Sequence, residues 1–220
     1  MKSENNLVKQ IKIFFSYSTE NRKEVGRINR NLEGEVFKGF LAHEDINPSR
    51  EWQDEIHRNL RECDVFIPYI TKKFKESKWT DQECGIAYAH SKLIIPLEVE
   101  LAPYGFINKY QSLKFDPEYI LSGTVKIVQT ILDNKRFGDL KELIIEQFIG
   151  SKNFDSANVF SSILKDYPTF SEEEVKRISK GSFKNNQVLG AFHAQSFLKK
   201  IIDEYEKYID LSDLSNLNSA

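Results

Sequence analysis

The chain has almost no cysteine. Cys63 and Cys84 are the only two in 220 residues, too few for a disulfide framework or a zinc site. Free thiols suit a reducing cytoplasm. Long apolar runs are missing as well: no stretch approaches the roughly 20 residues that a membrane helix needs. The opening MKSENNLVKQ lacks the apolar core of a signal peptide. Neither sign of charge dominates. Lys and Arg total 31 against 33 acids, so no net field draws the chain to nucleic acid or anionic lipid. A phosphate-cradling glycine loop is absent both as GxGxxG and as GxxxxGK followed by Ser or Thr. His43, His57, His90 and His193 show no metal-ligand spacing, and Ser16 and Ser18 lack the GxSxG setting of a serine hydrolase. These absences predict a cytoplasmic protein with no metal, no nucleic-acid partner and no membrane anchor.

What remains is an alternation of short apolar runs with longer amphipathic ones. Ile11 to Phe15 is β-branched and aromatic and ends in the small, polar Ser16-Tyr17-Ser18. Val25, Ile28 and Leu32 then recur at helical spacing, followed by a strand-like run from Gly39 to Ala42. Trp52, Ile56 and Leu60 mark a second helical face. Asp64 to Ile70 reads as a buried strand despite Pro68, Trp79 to His90 as a helix, and Leu93 to Leu97 as a further strand. A short strand within Tyr110 to Phe115 and a helix from Tyr119 to Leu132 close the series. Near-continuous apolar strands alternating with helices predict an α/β fold, a flavodoxin-like doubly wound parallel sheet of about five strands. Ligands of such sheets bind beyond the carboxyl ends of the strands. Ser16-Tyr17-Ser18, the loop 43–50 and the loop 71–80 all follow strands and are expected on that rim.

After residue 136 the pattern changes. Segments 139–149, 155–166, 171–181 and 186–208 read as helices, and Ser171-Glu-Glu-Glu174 is a good capping box. The expected division is therefore residues 1–136 as the sheet domain and 137–220 as an all-helical C-terminal region with a frayed tail, DLSDLSNLNSA. No ionisable cluster marks that region, which suits assembly or sensing better than chemistry.

One stretch carries two readings. In SKWTDQECG, residues 77–85, Thr80 and Glu83 form the T-x-x-E pattern of a helix capping box, with Trp79 placed to staple onto Cys84. A cap accounts for Glu83 without any function. The same box sets Glu83 in the first turn of the helix, just above the ligand rim. There an aromatic plane and a carboxylate four residues apart suit a cationic, flat-ringed substrate. Cys63 and Cys84 read as small buried hydrophobes.

Four segments, in order and spacing, resemble a prokaryotic Toll/interleukin-1 receptor (TIR) domain. IFFSYS at 13–18 is similar to the family's first strand, and FLAHEDINPSREW at 40–52 to its second strand, BB loop and following helix. CDVFIPYITKKFKESKWTDQE at 63–83 resembles the third strand with the S-x-W-x-x-x-E run, and KLIIPLEV at 92–99 the fourth. Pro48-Ser49 stands where the BB loop often carries Pro-Gly. Many TIR domains of this kind cleave NAD+ at the nicotinamide–ribose bond. The resemblance implies Glu83 as the catalytic residue and Trp79 as a lining residue. It further implies Tyr17, Ser18, Thr19 and Asp45 as substrate contacts, and NAD+ as substrate with no cofactor. It also implies a homo-oligomer formed through TIR–TIR contacts, a possible downstream effector, and a place in anti-phage defence. Two alternatives stay open: a non-enzymatic TIR–TIR scaffold or adaptor with Glu83 as a cap, and a deoxyribosyltransferase-like enzyme on a similar fold.

Overall fold

The structure, a computed structural model, describes residues 10–41 and 52–209. Asp45, the rest of the loop 43–50 and the tail 210–220 lie outside the described residues. The strands are β1 (Ile11–Ser16), β2 (Phe37–Leu41), β3 (Val65–Ile70), β4 (Leu93–Ile94), β5 (Leu97–Glu98) and β6 (Leu113–Lys114). All pairings are parallel, in the order β2-β1-β3-β5-β6 with β4 also on β3.

β4 and β5 share one position in the sheet. Val65 pairs Leu93 and Phe66 pairs Ile94, and the same register resumes at Tyr69 with Leu97 and Ile70 with Glu98. The gap falls at the level of Pro68 and Pro96. Pro68 has no N–H to offer across this gap, and Pro96 faces the other way, its carbonyl accepting from the Leu113 N–H at 2.8 Å, so the β3 ladder is interrupted here. This is how a proline survives in a wholly buried central strand. The result is the doubly wound, flavodoxin-like order of five positions expected from the sequence.

Alternation along the strands sorts their side chains into two cores. Ile11, Ile13, Phe15 and Tyr17 join Val65, Ile67 and Tyr69 on one face, against Val25, Ile28 and Leu32 of α1 (Arg22–Leu32) and Ile127, Val128 and Ile131 of α5 (Ile120–Leu132). Phe14, Phe66 and Ile70 occupy the other face. They pack with Ile56 and Leu60 of α2 (Trp52–Glu62), Phe74 of α3 (Lys72–Glu76), and Cys84 and Ala87 of α4 (Lys78–Ala89). The expected loop 71–80 is thus largely helical. Thr71 caps α3 by accepting from the Phe74 N–H at 3.1 Å.

The C-terminal helices are α6 (Lys141–Ile149), α7 (Phe154–Leu164), α8 (Glu172–Ser182), α9 (Asn186–Leu189) and α10 (Phe192–Tyr205). The capping box at Ser171 and Glu174 is formed. The helix expected over 186–208 is instead two, broken at Gly190-Ala191. The ring of Phe154 closes on that joint, only 2.7 Å from where a Cβ on Gly190 would lie.

These helices share the first core rather than building their own: Phe37 of β2 stacks on Phe160 of α7 at 6.1 Å. Gln147 of α6 is buried beneath the α1–β2 turn, where it accepts from the Val36 N–H (3.0 Å) and donates to the Leu32 carbonyl (3.2 Å). A Cβ on Gly34 would lie 2.0 Å from the Gln147 amide. Gly34→Ala is therefore expected to displace that pinned amide and cost about 2 kcal/mol, read by urea unfolding. No helix of the described residues is long and apolar enough to cross a membrane.

Candidate active site

Ser16 is the last residue of β1, and the pleat turns it to the same side as Phe14, towards α4. The buried positions of α4 are Thr80, Glu83, Cys84 and Ala87. That i, i+3, i+4, i+7 spacing is the stripe a helix normally fills with apolar groups. Here a glutamate sits in its middle, 7% exposed. The Ser16 hydroxyl donates to Glu83 Oε2 at 2.5 Å, joining α4 to the carboxyl end of β1.

The electrostatics follow from burial. Loss of hydration pushes the Glu83 carboxyl up to about 7, and the Ser16 hydrogen bond tempers the rise. Among the described residues no cation pairs with Glu83, and its Oε1 accepts no hydrogen bond. A carboxylate buried with a single hydrogen bond is costly to the fold, and such perturbed groups cluster at functional sites.

The capping reading of Glu83 is not realised. Ser77, with extended backbone (φ −81°, ψ 122°), is the N-cap of α4, and the helix begins at Lys78. Thr80 lies inside the first turn, where its hydroxyl donates to the carbonyls of Phe74 (2.6 Å) and Ser77 (2.9 Å). It fastens the α3–α4 joint instead of capping. Glu83 thereby moves to the second turn, too far from the helix start to serve a cap. The expected staple of Trp79 on Cys84 lapses with it. Five residues apart on one helix, the two side chains point about 140° away from each other.

The other expected site residues divide. Trp79, 39% exposed, and Glu83 lie four apart on α4, on one side of the helix as expected. Ser18 is half-buried and Thr19 exposed, both in the turn directly after β1. Tyr17 is buried on the opposite face of the sheet, in the α1/α5 core. The pleat that aims Ser16 at α4 aims Tyr17 away from it. Asp45 is outside the described residues.

Ser16, which holds Glu83, is the residue of this candidate site that the sequence reading does not name as a site member. Its signal was present: in the run I-K-I-F-F-S, Ser16 shares parity with Phe14 and not with the strand's other apolar face. Asn21 adds a second tie along this rim, its Oδ1 accepting from the Thr71 hydroxyl at 3.1 Å and so linking the turn after β1 to the end of β3. Burial raises both thiols, Cys63 to about 11 and Cys84 further, so neither is a nucleophile at neutral pH. His57, His90 and His193 are exposed.

A family model described as TIR domain matches residues 13–122, half of the chain. Among solved structures, the TIR domain of the Toll-related receptor TRR-2 from Hydra magnipapillata is similar. It shows 18% identity and a TM-score of 0.47, with 56% of this chain and 98% of that chain covered. No curated protein matches. On the family match over these residues, the chain belongs to the TIR domain family.

Proposed function

We propose that this TIR domain cleaves the nicotinamide–ribose bond of NAD+, with Glu83 as its catalytic carboxylate. The observation that carries this reading is the buried glutamate, unpaired by any cation of the described residues and held by Ser16 at the carboxyl end of β1. Nicotinamide leaves NAD+ as a neutral pyridine, so no general acid is required. Positive charge then gathers on the ribose ring. A carboxylate in a dry site stabilises that charge far more than water would. Trp79 supplies a plane for the nicotinamide, and Ser18 and Thr19 supply hydroxyls at the mouth. Attack by water gives ADP-ribose and a proton, whereas attack by a group of the same molecule gives a cyclic isomer. Scaffolding by TIR–TIR contact is the rival reading, but its account of Glu83 as a helix cap has lost its basis.

TIR domains generally self-associate, and assembly of copies is the condition under which turnover is to be measured. By its resemblance to prokaryotic members, the reaction belongs to anti-phage defence.

The reading makes a proton prediction. A cationic substrate beside Glu83 favours the ionised form, so NAD+ binding releases a proton near pH 7 and KM falls as pH rises through that value. Ser16→Ala removes the hydrogen bond that holds the carboxyl down. The acidic limb of the activity profile should then move to higher pH by about one unit, with alkaline turnover largely kept. Nicotinamide release followed by chromatography reads both. An unmoved limb would remove Glu83 from the reaction.

A further inference from the structure

At the other end of α4, away from the Glu83 rim, a second cleft opens beneath the start of β4. Its volume is about 540 Å³, within the range of small-molecule sites. Three cations line it: Lys92, Lys109 and Arg136. Among the described residues no acid lines the cleft, and none of the three cations is paired with a carboxylate. Each is held by neutral groups. Lys92 Nζ donates to the carbonyls of Arg61 (2.5 Å) and Cys63 (2.7 Å). Lys109 Nζ sits 4.4 Å from the centre of the Tyr88 ring and 5.2 Å from that of Tyr110. Arg136 donates through Nη2 to the Ser91 carbonyl at 3.0 Å. Ser91 has a φ of 50°, the left-handed turn by which the chain passes from α4 to β4.

The chain thus fastens three positive side chains around one cavity and leaves most of their N–H groups unspent. Like charges brought together without counter-ions repel, so an arrangement of this kind is stabilised by a bound anion. A guanidinium and two ammoniums match the oxygens of a phosphate or pyrophosphate. Beside the cleft, Phe106 (64% exposed) stacks on Tyr88 at 5.4 Å, an aromatic wall that a flat ring can extend. The geometry points to a binding site for a phosphorylated small molecule of the nucleotide class, distinct from the Glu83 rim and independent of the reaction proposed there. Its phosphates are taken by Lys92, Lys109 and Arg136, and its ring by the Tyr88–Phe106 wall.

Isothermal titration of the full chain with inorganic pyrophosphate and with ADP, at low ionic strength, tests this. Both should bind saturably, ADP more tightly because of its base. Binding should weaken as salt is added. Lys109→Ser and Arg136→Ser should each weaken binding by about tenfold, and Lys109→Arg should largely keep it. Both positions are exposed, so the variants are expected to fold. Glu83→Gln should bind as the unaltered chain does, which separates this cleft from the site of NAD+ cleavage. The proposal is overturned if neither compound binds saturably. It is equally overturned if the Lys109→Ser/Arg136→Ser double variant binds undiminished, or if Glu83→Gln is the change that abolishes binding.

Discussion

Replacing Glu83 by glutamine is expected to abolish NAD+ turnover and, at alkaline pH, to make the protein more stable. The activity loss should be roughly a thousandfold or more, the scale on which removing one preorganised charge-stabilising group acts. The stability gain follows from the raised carboxyl. Its value climbs from an ordinary 4.5 to about 7 on folding. Below about pH 4.5 the group is neutral in both folded and unfolded chains and costs the fold nothing extra. As pH rises towards 7 the unfolded chain loses this proton first, so the fold is progressively penalised. At about 1.4 kcal/mol per pH unit, the penalty reaches roughly 3 kcal/mol above pH 7. Glutamine carries no such penalty and can still accept from Ser16. Urea unfolding of the two proteins at pH 5 and pH 8 should therefore give similar midpoints at the lower pH. At the higher pH the variant should be ahead by about 2 to 3 kcal/mol. A residue whose loss stabilises the fold and destroys function is there for function. Equal turnover in both proteins would sink the assignment, and equal stability at pH 8 would sink the electrostatic account of it.

The second large effect concerns the helices beyond residue 136. A chain ended there is expected not to fold into a working sheet domain. Phe148, Phe160, Val159 and Ile144 are fully buried in the core that also holds Phe37, Ile127 and Leu32. Uncovering such side chains costs about 1.5 to 3 kcal/mol each, and a few of them equal the whole net stability of a domain. The truncated chain should bind a hydrophobic dye and lack a cooperative thermal transition. A milder version tests the same joint. Gln147→Leu leaves the Val36 N–H and the Leu32 carbonyl buried without their partner. It should cost about 2 to 4 kcal/mol by urea unfolding. Cooperative unfolding and native turnover in the truncated chain would show instead that the helical region is an independent attachment.

How much of this was legible depends on how far apart the interacting residues are. β1 and β3 were readable because a parallel sheet covered on both faces demands continuous apolar runs, and Ile11–Phe15 and Val65–Ile70 supply them. The break between β4 and β5 was not readable, because it depends on which residues of that strand come into register with Pro68. The T-x-x-E pattern at Thr80 leaves a cap and a site both open, and the cap does not form. Ser77 claims the helix start once α3 ends just before it, and Thr80 is then engaged by Phe74. Likewise the second helix break, at Gly190, depends on Phe154 packing from α7.

Periodicity, strand composition and the family-like segments, all properties of neighbouring residues, were enough by themselves to determine the doubly wound sheet and to single out Glu83. Folding alone decided what Glu83 is. Ser16 lies 67 positions away in the chain, and only strand pleat and helix packing bring its hydroxyl to that carboxylate and strip away the water. Local sequence states a residue's charge, but the energy of that charge belongs to the solvent and partners that the tertiary structure leaves around it.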